Sequence, residues 1–271
     1  MSDLIARSAC LRASKTALSS ALLAVLLGLL SMAPAGHAMA ADNSAVAGKR
    51  ILYVTRLKLA ADASERHKEL QQKGLASDAK VRSHLEAMGA SVTLADQSAA
   101  PADAEKYDLV VLSSVVQSRE LADTAYKNVR VPLLTWENDL YDSLRLTGRH
   151  KGEVYGEVEK EHYIRIVNAP HPMAAGLPNG KTYVYPRDTS MGWGTPARSA
   201  IVIATLPGEL DKAVIFGYEK GATMDYDFVA PARRVAFFLD NLTFDQLTPI
   251  GLQLFDAAVN WALTAPPAMR N

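Results

Sequence analysis

Short apolar, β-branched runs alternate along this chain with polar or amphipathic stretches. Ile51, Leu52, Tyr53 and Val54 sit inside a run at 50–55 that predicts a buried strand. A polar loop follows, and then Val81, Leu85 and Met88 recur at helical spacing, with Ser77 placed to cap that helix and Gly89 to end it. Residues 91–94 predict a second strand. Residues 108–113 predict a third, apolar almost throughout, as a strand buried on both faces must be. A helix is expected over 118–126 and a fourth strand over 131–135.

The middle of the chain changes character. Residues 153–184 hold turn-rich, short β-like pieces, including one at 163–167, and strand-like runs resume at 200–204, 213–217 and 235–239. Thr248 followed by Pro249 marks a helix start, and Leu252, Phe255, Val259 and Ala262 mark one face of that closing helix. Strands alternating with helices at this spacing predict βαβ units around a parallel sheet. The expected class is α/β: an open, mostly parallel sheet with helices on both faces and a small β-rich insertion. With no linker or repeat to divide them, residues 41–271 are expected to form a single domain.

The first forty residues stand apart. Arg7, Arg12 and Lys15 precede a Leu-rich run at 21–30, and Ala38-Met39-Ala40 forms a small-x-small site ahead of Ala41. That order predicts a secretory signal peptide at 1–40, cleaved near Ala40-Ala41, and a periplasmic or secreted product with no stable membrane insertion after cleavage. The whole chain balances 29 Lys+Arg against 29 Asp+Glu, whereas removing the leader leaves 26 against 28. A mildly acidic domain argues against a nucleic-acid partner. The one cysteine, Cys10, lies in the leader, so no disulfide and no thiol chemistry is expected after it.

In an open parallel sheet, ligands sit outside the carboxyl ends of the strands. That rule selects Arg56, Ser113, Ser114 and the turn Trp136-Glu137-Asn138-Asp139. In this turn an aromatic ring, a carboxylate and an amide stand together. Glu137 beside Trp136 has the character of a general acid or base, and equally that of a group favouring the positive end of the next helix. Trp193, between Gly192 and Gly194 in a loop expected at 187–194, is suited to stacking on a sugar ring or to filling a gap beneath the loop. Asp240 and Asn241, where the strand at 235–239 ends, are placed to line the same pocket, while Arg233 and Arg234 belong at the opposite edge. The histidines show no metal-ligand spacing, and neither a metal nor a cofactor is expected.

The runs at 107–113 and 131–137, then Asn168-Ala169-Pro170-His171-Pro172-Met173 with Gly176-Leu177, occur in an order that resembles the ThuA-like (trehalose utilisation) family of the class I glutamine amidotransferase-like superfamily. Residues 233–237 and 254–262 are similar to its last strand and helix, so the resemblance spans about 49–264. It implies a flavodoxin-like fold, a link to carbohydrate in some members, and a place for His171 near the carboxyl edge of the sheet. Amidotransferases carry a nucleophilic cysteine in the turn that here reads Trp136-Glu137, so glutamine hydrolysis through a thioester is not expected. Ser113 and Ser114 lack the G-x-S-x-G surround of a serine nucleophile and are expected to be hydrogen bonders at a strand end. Two functions are compatible with these residues. One is an exported domain that binds a small molecule or carbohydrate without glutaminase activity. The other is a carbohydrate-active hydrolase or isomerase using Glu137 and His171 as acid and base.

Overall fold

The run 50–55 becomes strand β1 (Arg50–Thr55), whose alternate residues feed two different cores. The structure, a computed structural model, describes residues 45–59 and 61–264. The expected leader at 1–40 lies outside the described residues. Strands β2 (Ser91–Asp96), β3 (Leu109–Leu112), β4 (Leu133–Thr135) and β11 (Arg234–Phe237) join β1 in the parallel order β2-β1-β3-β4-β11. The remaining strands are β5 (Tyr155–Glu161), β6 (Tyr163–Ile166), β7 (Gly180–Tyr183), β8 (Thr189–Gly194), β9 (Ile201–Leu206) and β10 (Glu209–Tyr218). They continue the sheet from β11 in the antiparallel order β10-β9-β6-β7, while β8 pairs with both β10 and β5.

The sheet is therefore mixed, with 11 strands among the described residues, and the expectation of a mostly parallel sheet with a small insertion is corrected. Six of its strands, β5 to β10, make only antiparallel pairs, and they are integral to the sheet. The segment at 187–194, expected as a loop, ends in strand β8 because Met191 and Trp193 are buried on one side of it.

Both α-helices of the described residues pack on the same face. Helix α1 (Glu65–Ala87) contributes Val81 and Leu85, and helix α2 (Pro249–Leu263) contributes Leu254, Phe255, Ala258 and Val259, to the core that holds Ile51, Tyr53 and Trp136. His84 Nε2 and Asp256 Oδ1, 2.5 Å apart, tie the two helices together. The opposite core, around Leu52, Val54, Leu112 and Ala236, is covered by loops and by 3-10 turns at Pro101–Lys106, Ser118–Glu120, Ala125–Asn128 and Asn138–Leu140. The helix expected over 118–126 is absent: Asp123 takes a left-handed φ of 56°, and Thr124 then caps the next turn by accepting from the Tyr126 N–H at 3.2 Å. Among the described residues, the α-helices expected on both faces lie on one, and the other carries 3-10 turns.

Helix α1 also starts earlier than its apolar spacing suggests. Ser64, not Ser77, is its N-cap, accepting from the His67 N–H at 3.3 Å. Its first three turns carry no apolar stripe and are supported by Glu65–Lys68 and Glu69–Lys73 pairs, so hydrophobic periodicity reports only the second half. At the amino edge of the parallel strands, fully buried Arg234 donates to the carbonyls of Lys127, Val129, Val131, Ala232 and Arg233. A guanidinium has five N–H donors and no acceptor, so a ring of carbonyls suits it.

Candidate functional site

At the carboxyl edge of β1, β3, β4 and β11 lies a cavity of about 570 Å³. It collects Arg56 from the end of β1, Ser114 from β3, Glu137 and Asn138 from β4, and Asp240 and Asn241 from the segment after β11. The first half of α1 supplies His67, Gln71 and Gly74, and the loop after β3 supplies Val115 to Arg119. Gly74 is required by this packing, since a Cβ there would fall 2.9 Å from a methyl of Val115.

Glu137 is 8% exposed. Its N–H donates to Thr135 Oγ1 at 3.1 Å, and its carboxylate accepts from the Asp139 N–H at 3.0 Å, capping the turn Asn138–Leu140. Capping and cavity lining thus coexist in one side chain. Burial first, and then the charges of Asp139, Glu157 and Asp240, push its carboxyl well above the usual range. Asn138 is 4% exposed, and its Nδ2 donates to Glu157 Oε1 at 2.9 Å, which leaves Oδ1 as its acceptor.

Four buried polar atoms of the lining have no hydrogen-bond partner among the described residues: Arg56 Nε, Ser114 Oγ, Gln117 Oε1 and Asn138 Oδ1. Buried polar groups are almost always paired, and all four of these belong to residues that line the one cavity. Asp139 Oδ1 is engaged by Lys151 in an ion pair.

The other expected site residues are elsewhere. Ser113 is fully buried behind the cavity, where its hydroxyl donates to Asp78 Oδ1 at 2.7 Å and accepts from the Val115 N–H at 3.1 Å. This bears out the strand-end hydrogen bonding but not contact with a ligand. Trp136 packs in the core against Tyr53 and Phe255, with ring centroids 6.2 Å and 6.3 Å away. Trp193, 4% exposed, lies in β8 against Gly156 under the Lys212 ammonium, and offers no open face for stacking. It fills a gap instead.

His171 is the largest correction. It caps the 3-10 turn Pro172–Ala174, with Nδ1 accepting from the Met173 N–H at 3.2 Å, and its ring lies 5.4 Å from that of Trp261. Burial lowers its pKa, with Arg233 adding to the effect and Glu219 opposing it. Arg233 directly precedes β11, so His171 stands at the amino edge of the sheet and Glu137 at the carboxyl edge. The two do not form an acid–base pair.

Asp78 was not among the expected residues. It lies on α1 and accepts from Tyr53 Oη at 2.8 Å and Thr55 Oγ1 at 2.5 Å, besides Ser113. Burial pushes its carboxyl up, against the pull of those three donors. The signal was present: Asp78 continues the buried stripe 81-85-88 backwards by three residues, a carboxylate in an apolar register. Gln97 was also unforeseen. It accepts from the Gln117 N–H at 2.7 Å and donates to Glu120, which holds the loop wall of the cavity in place.

No protein family's sequence model matches the chain, and no curated protein matches it. Solved structures do. A protein designated ThuA-like from Bacteroides uniformis gives a TM-score of 0.46 at 12% identity, over 79% of this chain and 91% of its own. A GMP synthase component from Thermoplasma acidophilum, so designated, gives 0.44 at 12%, over 79% and 94%. The mmIFT52 N-terminal domain gives 0.44 at 10%, over 80% and 98%. At these identities and TM-scores the likenesses carry no family, ligand or activity to this chain.

Proposed function

We propose that this chain is an exported binding domain for a small, polar, polyhydroxylated molecule of the carbohydrate class, seated at the carboxyl edge of the parallel strands and without glutaminase activity. One observation carries the reading: Arg56, Ser114, Gln117 and Asn138 each hold an unpartnered buried polar atom at the same cavity. Such a set matches a ligand that both donates and accepts at several points, as neighbouring hydroxyls do. Residues 11–271 contain no cysteine, so a thioester route has no nucleophile in them. The separation of Glu137 from His171 removes the acid–base pair on which a hydrolase or isomerase reading rested. Export rests on the leader's sequence pattern and predicts recovery of the protein outside the cytoplasm on cell fractionation.

Thermal-shift measurements with a panel of mono- and disaccharides test the proposal. At least one sugar should raise the midpoint, and Asn138→Ala together with Ser114→Ala should abolish the rise. A panel with no effect on the wild-type chain refutes the carbohydrate reading.

A further inference from the structure

The cavity is electrically divided along its length. Arg56 follows β1, Ser114 follows β3, Glu137 follows β4 and Asp240 lies beyond β11, which is the spatial order of the strands. Two strand spacings, about 10 Å, separate the ends of β1 and β4. The β1 end carries Arg56, Arg119 and His67, and the other end carries Glu137, Asp139, Glu157 and Asp240. Of those four acids only Asp139 is ion-paired among the described residues, to Lys151. Glu157 accepts from Asn138 Nδ2, and Asp240 from the Asn241 N–H at 2.6 Å.

A second observation, independent of these charges, points the same way. Asn138 is buried, and its bond to Glu157 fixes the amide so that the orphan atom is the acceptor Oδ1. The orphan acceptor Asn138 Oδ1 thus stands at the β4–β11 end beside the acids, whereas the β1 side holds the Arg56 Nε donor, the Ser114 hydroxyl and the Gln117 Oε1 acceptor beside the cations. An ammonium group supplies three donors and no acceptor, and it neutralises crowded carboxylates. A neutral hydroxyl brings one donor and no charge. Arg119, together with Arg56, whose charge is shared with Glu120 at 3.7 Å, disfavours a cation at their end, which sets the orientation.

Resting on the proposal that the cavity takes a polyhydroxylated ligand, we infer that the ligand is an amino sugar, with its protonated amine at the β4–β11 end against Asn138, Glu157 and Asp240 and its hydroxyls toward Ser114 and Arg56. The raised carboxyl of Glu137 agrees with this, since burial first and then the charges of Asp139, Glu157 and Asp240 hold its proton on.

Isothermal titration of the full chain with three matched β-1,4 disaccharides tests the inference: the diamine of glucosamine, its N-acetylated form and cellobiose. At neutral pH and low salt the amine form should bind roughly tenfold tighter than either neutral sugar, and added salt should shrink that margin. In Glu157→Gln, an exposed position whose change leaves the fold intact, the margin should fall toward one, and Asp240→Asn should act likewise. Equal affinity for all three sugars, or a margin that survives both substitutions, overturns the amine assignment and leaves the polyhydroxyl reading standing. Binding of none of the three overturns both.

Discussion

The phenol of Tyr53 and the carboxylate of Asp78 meet at 2.8 Å, locking the first strand of the sheet onto the middle of α1. Because Thr55 and Ser113 donate to the same carboxylate, Asp78→Ala strands three buried hydroxyls at once. Leaving buried donors unmatched costs on the order of 1–3 kcal/mol each before relaxation. The expected loss for Asp78→Ala is about 3 kcal/mol, against about 1 kcal/mol for Tyr53→Phe, which removes one donor only. Urea unfolding of both variants checks the ratio; equal losses would show that the hub is not centred on the carboxylate.

Glu137 makes stability depend on pH in a defined direction. Its folded pKa is raised above its unfolded value by burial and by neighbouring acids. The stability it lends is complete below the unfolded carboxyl pKa and is lost as pH rises through the folded one. Glu137→Gln removes this dependence. Relative to wild type, the variant should therefore gain in unfolding free energy as pH rises from the ordinary carboxyl range toward the raised folded pKa. A constant difference across that window would contradict the assignment.

His171 should be silent in binding. It caps a short turn beside Trp261 at the amino edge, so His171→Ala should cost about 1 kcal/mol of stability and leave sugar-induced stabilisation unchanged. Asn138→Ala should do the reverse, holding most of its stability while losing the ligand effect. Paired thermal shifts, with and without sugar, distinguish the two.

Gly217 tests the packing at the base of the sheet. A Cβ there would lie 2.8 Å from the Arg234 carbonyl oxygen and 2.9 Å from the Trp261 ring, neither free to retreat. Gly217→Ala should destabilise the chain by about 2 kcal/mol. Denaturation midpoints near wild type would mean that the strand yields more easily than its neighbours imply.

The inner parallel strands β1, β3, β4 and β11 were legible because burial on both faces makes each an apolar run, and their carboxyl ends bring Arg56, Ser114, Glu137, Asn138 and Asn241 to one cavity. The antiparallel half was legible as strands but not as part of the same sheet, because pairing partners such as Ala213 and Thr205 are chosen by tertiary register. The two misplaced tryptophans have one cause. Flanking glycines and turn residues suggest a surface position for each, whereas Gly156 allows Trp193 to be covered and α2 covers Trp136. His171 was misplaced because motif order carries no information about which edge of the sheet a loop reaches.

One face of the sheet has no α-helix among the described residues over it, only turns and loops around Tyr126, Tyr141 and Leu144. Such a cover has no continuous ladder of its own and opens in pieces at a lower free energy than the sheet beneath. The wall of the cavity formed by Val115 to Arg119 belongs to that cover, while the wall formed by α1 belongs to the helical face. Neither wall is backed by the core along its whole length: the exposed first turns of α1 and the loop after β3 face each other across the cavity. Amide exchange should be fast in both and slow in the second half of α1, where the helix is packed on the sheet.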